Sequence, residues 1–235
     1  MFLITDICSM HIVLAAATRL EIQATIDFLG VNAFQIGPHE TDVLVTGVGS
    51  IAATYSLARQ VAARRPSLVI QAGIAGCFAS GAGPAPGEVV VVREEALGDL
   101  GVWEGQGFRT LFDLKLTGKN DPPFSDGFLR NPYEKLLAFS GLGQVRGITV
   151  NEITTDPTRI AWYQQNTAAV VESMEGGGLH YVCLREKIPF VQLRSVSNDI
   201  GVRDKTKWDI RSAILNLNEQ LITLLAKLER TEAPF

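Results

Sequence analysis

Short apolar runs rich in Val and Ile recur along this chain at 11–17, 43–48, 68–74, 88–92, 145–150, 168–171 and 190–196. Runs of this length and composition read as strands. Between several of them lie helix-length segments, at 20–29, at 51–64 before Pro66, at 175–187 before Pro189, and at 208–228. Proline cannot continue a helix, so the two prolines mark where the helices stop. Strands alternating with helices predict an α/β fold, a three-layer α/β/α arrangement with a mixed, mostly parallel central sheet. In such sheets ligands bind at the carboxyl ends of the strands, so residues that follow the apolar runs become the candidates for chemistry.

The chain has 235 residues, 46% of them apolar, enough for one full core; the reading is a single domain over 10–235. Residues 1–9 precede a second methionine, Met10, and read as an extension or an alternative start. A formal charge of −4 with scattered Lys and Arg gives no footprint for nucleic acid or an anionic membrane, which favours a small-molecule partner. Cys8, Cys77 and Cys183 lie far apart without metal-ligand spacing, so free thiols in a reducing compartment are expected, with no metal and no structural zinc. No run approaches the roughly 20 apolar residues of a membrane span, and the first residues lack a signal-peptide pattern; the expected location is cytoplasmic. The stretch 93–131, rich in Gly and containing Pro122 and Pro123, is too long for an ordinary loop and is expected to cover a site or form an oligomer contact.

Two glycine turns follow strands. Thr46 to Ser50 reads TGVGS and could present backbone N–H groups to an anion at a helix N-terminus. It is not a dinucleotide fingerprint, because Ala52 stands at the third glycine position and no acid follows at the required spacing. Ala72 to Gly76 reads AGIAG, so Ala75 and Gly76 let backbone approach a ligand, although a tight strand exit also needs small residues. Further on, Met174 and Glu175 open a helix after one apolar run, while Arg194, Ser197 and Asn198 sit at the end of the next. By itself Glu175 could be an acid that only complements the helix dipole, and Glu21 an ordinary solvated helix acid.

The segments MHIVLAAATRLE, LVTGVGSIAA, LVIQAGIAG, VRGITV, ESMEGGGLHYVC and FVQLRSVSN together resemble the purine nucleoside phosphorylase and methylthioadenosine nucleosidase superfamily from Met10 onward. The resemblance implies an N-glycosyl hydrolase with no cofactor, acting on a nucleoside as a homo-oligomer. Carried over by motif, Glu21 holds the attacking water, Glu175 with Met174 binds the ribose hydroxyls, Arg194 orders the water or the neighbouring carboxylate, and Ser197 and Asn198 stand where the base is handled. This chemistry needs those groups: cleaving the C1′–N9 bond leaves a cationic sugar and an anionic base, so an acid is wanted at one end and donors at the other.

Three positions depart from the pattern that the resemblance sets. Adenine-releasing relatives carry Asp where this chain has Asn198, and an amide offers a donor to a 6-oxo group, so the expected leaving base is hypoxanthine. A bulge that brought Asp199 into the pocket would return the expectation to adenine. Ile74 stands in place of a serine near the water, and the segment from Asn151 to Asp156 replaces one bearing an aromatic residue; there Thr154 is a pocket candidate or plain turn chemistry. Arg203 and Lys205 are candidates for a carboxylate on the 5′ side of the substrate, against the alternative of a solvated loop. His180, Trp103 and Trp208 read as packing, interface or lid residues. Two rival functions remain: a phosphorylase with phosphate at the TGVGS turn, disfavoured by the absence of an arginine there, and a nucleoside-binding protein without turnover.

Overall fold

Successive residues of the first strand, β1 (His11–Ala16), point to opposite faces of a sheet, and both faces are apolar. Ile12, Leu14 and Ala16 join one core cluster, while Val13 and Ala15 join another. A strand buried on both sides must be sandwiched between helices, and the computed structural model, which describes residues 9–78, 83–105, 107–230 and 234–235, shows how. The elements run in chain order β1, α1 (Gln23–Val31), β2 (Gln35–Ile36), β3 (His39–Val45), α2 (Ser50–Ala63), β4 (Leu68–Cys77) and β5 (Val89–Leu97). There follow β6 (Gly101–Glu104), β7 (Gly107–Thr110), β8 (Leu129–Arg130), α3 (Glu134–Ser140), β9 (Gly143–Thr149) and α4 (Pro157–Thr167). The chain closes with β10 (Val171–Ser173), α5 (Gly176–Glu186), β11 (Phe190–Asp199) and α6 (Ile210–Glu229).

The main sheet has the order β10-β9-β5-β11-β4-β1-β3-β2, with β8 attached to β5. Strands β1, β3, β4 and β11 are mutually parallel neighbours, and β5, β9 and β10 pair parallel among themselves, whereas β5 meets β11 antiparallel. Helices α1, α3 and α6 contribute to the first core cluster; α2 and α5 contribute Leu57, Val61, Leu179, Val182 and Cys183 to the second. The α/β three-layer expectation is met. The far end of β4 also pairs antiparallel with β10, Gly76 against Glu172 and Cys77 against Val171, which curls the sheet and brings β10 beside the ends of β4 and β11.

Several expected boundaries move. The run 168–171 is mostly not strand: Ala168 caps α4 in a left-handed conformation, and β10 begins at Val171. Helices α3 and α4 were not anticipated, although α4 carries a readable signal, Asp156 accepting from Arg159 N ahead of Pro157 at the first turn. Within the stretch 93–131, β5 runs on to Leu97, β6 and β7 form a hairpin, and β8 returns to β5. Residues 1–8, including Cys8, lie outside the described residues; Cys77 and Cys183 are buried and unpaired with each other. His180 is fully buried with Nδ1 against Leu129 O, and Trp103 packs on Phe108 and Trp162, as expected of packing residues. No helix of the described residues is long and apolar enough to cross a membrane.

Candidate active site

Where the carboxyl ends of β4 and β11 meet β10, a cavity of about 370 Å³ opens, of a size that suits a nucleoside. Among its lining residues are Glu21, Ala75, Gly76, Thr154, Met174, Glu175, Ser197, Asn198 and Arg203. No described residue of the stretch 93–131 lines it, so of the two expectations for this stretch, covering a site or forming an oligomer contact, the first is corrected for this cavity; the segment after β11, with Val202, Arg203 and Trp208, lines it instead. The reason is the pairing of β8 with β5, which directs the stretch along the sheet rather than over its strand ends. Trp208 sits under the guanidinium of Arg203, 5.5 Å from its ring centroid, and donates from Nε1 to Val202 O.

Glu21 lies in a single 3₁₀ turn, Leu20–Ile22, directly after β1, and is buried. One carboxylate oxygen accepts from Thr18 N and Thr18 Oγ1, both at 2.9 Å; the other accepts from Ile74 N at 3.2 Å. The Ile74 position that lacks a serine hydroxyl therefore still holds the acid, through its backbone. Glu175 caps α5. Its Oε1 accepts from Gly49 N at 3.1 Å and its Oε2 faces Arg194 Nη1 at 3.4 Å. Gly49, with φ of 97°, is the cap of α2, so the TGVGS turn does bind an anion at a helix N-terminus, and that anion is the carboxylate of Glu175.

Arg194 is 1% exposed and lies behind the cavity wall rather than on it. Its guanidinium donates to Gln71 Oε1 at 3.1 Å and lies against Ile74 O and Glu175. Its nearest carboxylate is thus Glu175, at the back of the cavity wall. Gly73 makes this packing feasible: a Cβ there would collide with Arg194 Nη1 and approach Glu21 Oε1 to 2.9 Å. The triple glycine after Glu175 serves similarly. A Cβ on Gly176 would collide with Glu95 Oε1, and one on Gly178 would come within 2.8 Å of Thr54 Oγ1, so α5 can start flush against β5 and α2 only without side chains.

A bulge does occur between Val196 and Asn198, where β11 shifts register on β4. It leaves Asn198 paired with Gly76 and lining the cavity, while Asp199 is exposed and does not line it. Ser197 Oγ donates to Asn198 Oδ1 at 2.8 Å, and Asn198 Nδ2 donates to Asp199 O at 2.9 Å, which leaves one amide hydrogen unspent.

Sequence reasoning missed the acid beneath this layer. Glu95 is buried and accepts from Gln192 Nε2 at 2.9 Å and Thr149 Oγ1 at 3.3 Å. Burial pushes its carboxyl up to about 7, against the opposing pull of those donors and of Arg194. Because the folded value lies above the unfolded one, the folded chain holds a proton that the unfolded chain has released. The stability from this group is full below about 4.5 and is lost as pH rises toward about 7. Glu95→Gln should therefore unfold at a higher urea midpoint than the parent at pH 8, with the gap closing near pH 5; equal gaps at both pH values would contradict this.

A family model described as the phosphorylase superfamily matches residues 30–229. The chain belongs to that superfamily. It is 38% identical over 190 residues to a futalosine hydrolase of Acidothermus cellulolyticus, covering 78% of this chain and 74% of the relative. It is 30% identical over 238 residues to a futalosine hydrolase of Streptomyces coelicolor, covering 94% of this chain and 97% of the relative. Within the superfamily it therefore belongs with the futalosine hydrolases. Its fold superimposes with a TM-score of 0.76, at 18% identity, on a 5′-methylthioadenosine/S-adenosylhomocysteine nucleosidase of Colwellia psychrerythraea in complex with adenine, covering 97% of this chain and 99% of that one. Among the described residues there is no group of three or more His, Cys, Asp or Glu that could hold a metal ion.

Proposed function

We propose that this chain hydrolyses the N-glycosidic bond of futalosine, releasing hypoxanthine and the dehypoxanthinyl sugar. One observation carries the reading: two buried carboxylates, Glu21 and Glu175, line one cavity with the Asn198 amide, in a chain that belongs with the futalosine hydrolases. Water attacks C1′ and passes its proton to Glu21 as the C1′–N9 electron pair leaves on the base. Glu175, kept charged-partnered by Arg194 and Gly49 N, accepts from the ribose hydroxyls and favours the developing cation. Met174 shapes the sugar site, with Ala75, Gly76 and Thr154 beside it on the wall. The unspent hydrogen of Asn198 donates to the 6-oxo oxygen. Futalosine carries a carboxyphenyl ketone on its 5′ side, and Arg203, at the cavity edge, is the cation proposed to meet that carboxylate.

The phosphorylase alternative loses its anion site, because the turn N–H proposed for phosphate already serves Glu175. Base release in phosphate-free buffer, with futalosine, inosine and methylthioadenosine in parallel, tests the reading. Selective hypoxanthine release is expected; release only after adding phosphate, or adenine from methylthioadenosine alone, would overturn it. Asn198→Asp should then shift the kcat/KM preference from 6-oxo toward 6-aminopurine nucleosides by about tenfold to a hundredfold, the cost of a buried mispaired donor. An unchanged ratio would remove Asn198 from base reading. We further place the reaction in the cytoplasm, as a step of menaquinone biosynthesis, carried out by a homo-oligomer. Support for the last point is the exposure of large apolar side chains, Ile51 and Tyr55 on α2 and Leu20 and Val48 on the cavity lining.

A further inference from the structure

Gly176, the residue after Glu175, rests on a hydrogen bond. A Cβ there would collide with Glu95 Oε1 and Gln192 Nε2, the two atoms of a 2.9 Å bond. One residue further, Gly177 N donates to Thr149 Oγ1 at 2.7 Å, and Thr149 Oγ1 donates to the other oxygen of Glu95 at 3.3 Å. The first turn of α5, which carries Glu175 at its cap, is therefore seated on Glu95 and Gln192. Arg194 stands two residues beyond Gln192, on the same face of β11.

The row continues beyond Gln192, whose amide lies against the imidazole of His180. Yet Gln192 Oε1 and His180 Nε2 are both buried without a hydrogen-bond partner. His180 Nδ1 faces a carbonyl, Leu129 O at 2.9 Å, so Nδ1 carries the ring proton and Nε2 is left an acceptor. Two acceptors side by side cannot satisfy each other; one proton and a half-turn of the amide satisfy every member. With the proton on Glu95, its O–H donates to Gln192 Oε1 and Gln192 Nε2 donates to His180 Nε2, while the second oxygen of Glu95 still accepts from Thr149. The opposite placement, a proton on His180 and a charge on Glu95, would bury an imidazolium and a carboxylate in place of two neutral groups. Burial acts the same way on each group alone, lowering His180 to about 4 and raising Glu95 to about 7.

We propose that Glu95 is a positioning residue for the reaction: protonated, it donates through Gln192 to His180, and this neutral row seats the first turn of α5 so that Glu175 meets Arg194. The proposal rests on the reading of Glu175 as the acid that binds the sugar. The charged groups facing Glu95 are Arg194 on β11 and Glu175 at the cap of α5, with His180 on α5 beyond Gln192; β9 and β8 set Thr149, Gly147 and Leu129 beside it. When Glu95 ionises, the donor to Gln192 is lost and a second carboxylate competes with Glu175 for Arg194.

The test is the pH profile of kcat/KM for base release from futalosine, in the parent and in Glu95→Gln. The parent should lose about fivefold or more between pH 6 and pH 8.5, as Glu95 gives up its proton. The amide of the variant donates to Gln192 and accepts from Thr149 at every pH, so its profile should stay within about twofold over that range. A flat parent profile, or a variant whose profile falls in parallel with the parent as a merely structural change would give, overturns the proposal. A second measurement uses the parent alone, so it stands even if the variant does not fold. In protein labelled with 15N-histidine, the His180 ring, assigned by its contact with the Phe190 ring at 4.7 Å between centroids, should be neutral from pH 5.5 to pH 8, with the proton on Nδ1 and Nε2 accepting a hydrogen bond. A doubly protonated ring, or a proton on Nε2, overturns the proposal. If the parent releases no base from futalosine, the proposed function itself fails, whereas the His180 ring still decides whether the row exists.

Discussion

Glu21→Gln should lower kcat for base release by about 10²-fold to 10⁴-fold, the usual worth of a positioned general base. An amide of the same shape can still accept from Ile74 N or Thr18 N, so the fold should survive with a stability change of about 1 kcal/mol. The paired readout matters: kcat from chromatographic base release, and the midpoint of urea unfolding. A kcat within about tenfold of the parent would mean that the proton goes elsewhere. A collapse of the midpoint together with kcat would mean that Glu21 acts as a structural tie between the turn after β1 and the end of β4.

Glu175→Gln should be damaging in two separable ways. It removes the charge that answers a cationic sugar, a loss of about 10²-fold to 10³-fold in kcat if it matches the removal of one preorganised electrostatic contact. It also leaves Arg194, 1% exposed, without its carboxylate. Removing one partner of a buried pair costs on the order of 3–5 kcal/mol, because the remaining charge is uncompensated. Arg194→Met alone should be destabilising for the mirror-image reason. The double substitution should then be more stable than the sum of the two single losses predicts, while remaining as inactive as Glu175→Gln. Additive losses in urea unfolding would show that the 3.4 Å contact contributes little coupling, and that Gln71 and Gly49 hold the two groups independently.

The two acids also show what kind of information a sequence carries. Glu175 was readable because it follows a short apolar run and opens a helix-length segment, and because the motif around it resembles that of the nucleosidases. Its partner at the TGVGS turn was visible only as an anion site of unknown occupant, since nothing in the order of residues says that Gly49 N meets a side chain 126 positions later. Glu95 and Glu172 were not singled out at all. Each is an acid inside or beside a Val-rich strand, where local pattern alone gives no sign of which cavity or buried layer the side chain enters.

Periodicity and residue type determined the class of fold, most strand and helix positions, and the cluster of chemistry at strand ends, because those depend on neighbours within one element. Tertiary structure decided the rest. The sheet order sets β10 and β11 on either side of Gly76, so Glu172 and Asn198 face one cavity, and the bulge after Val196 keeps Asn198 rather than Asp199 on that wall. Burial then set Arg194 behind the wall and against Glu175, a placement that depends on which side of the wall a side chain lies and therefore on contacts among residues far apart in the chain.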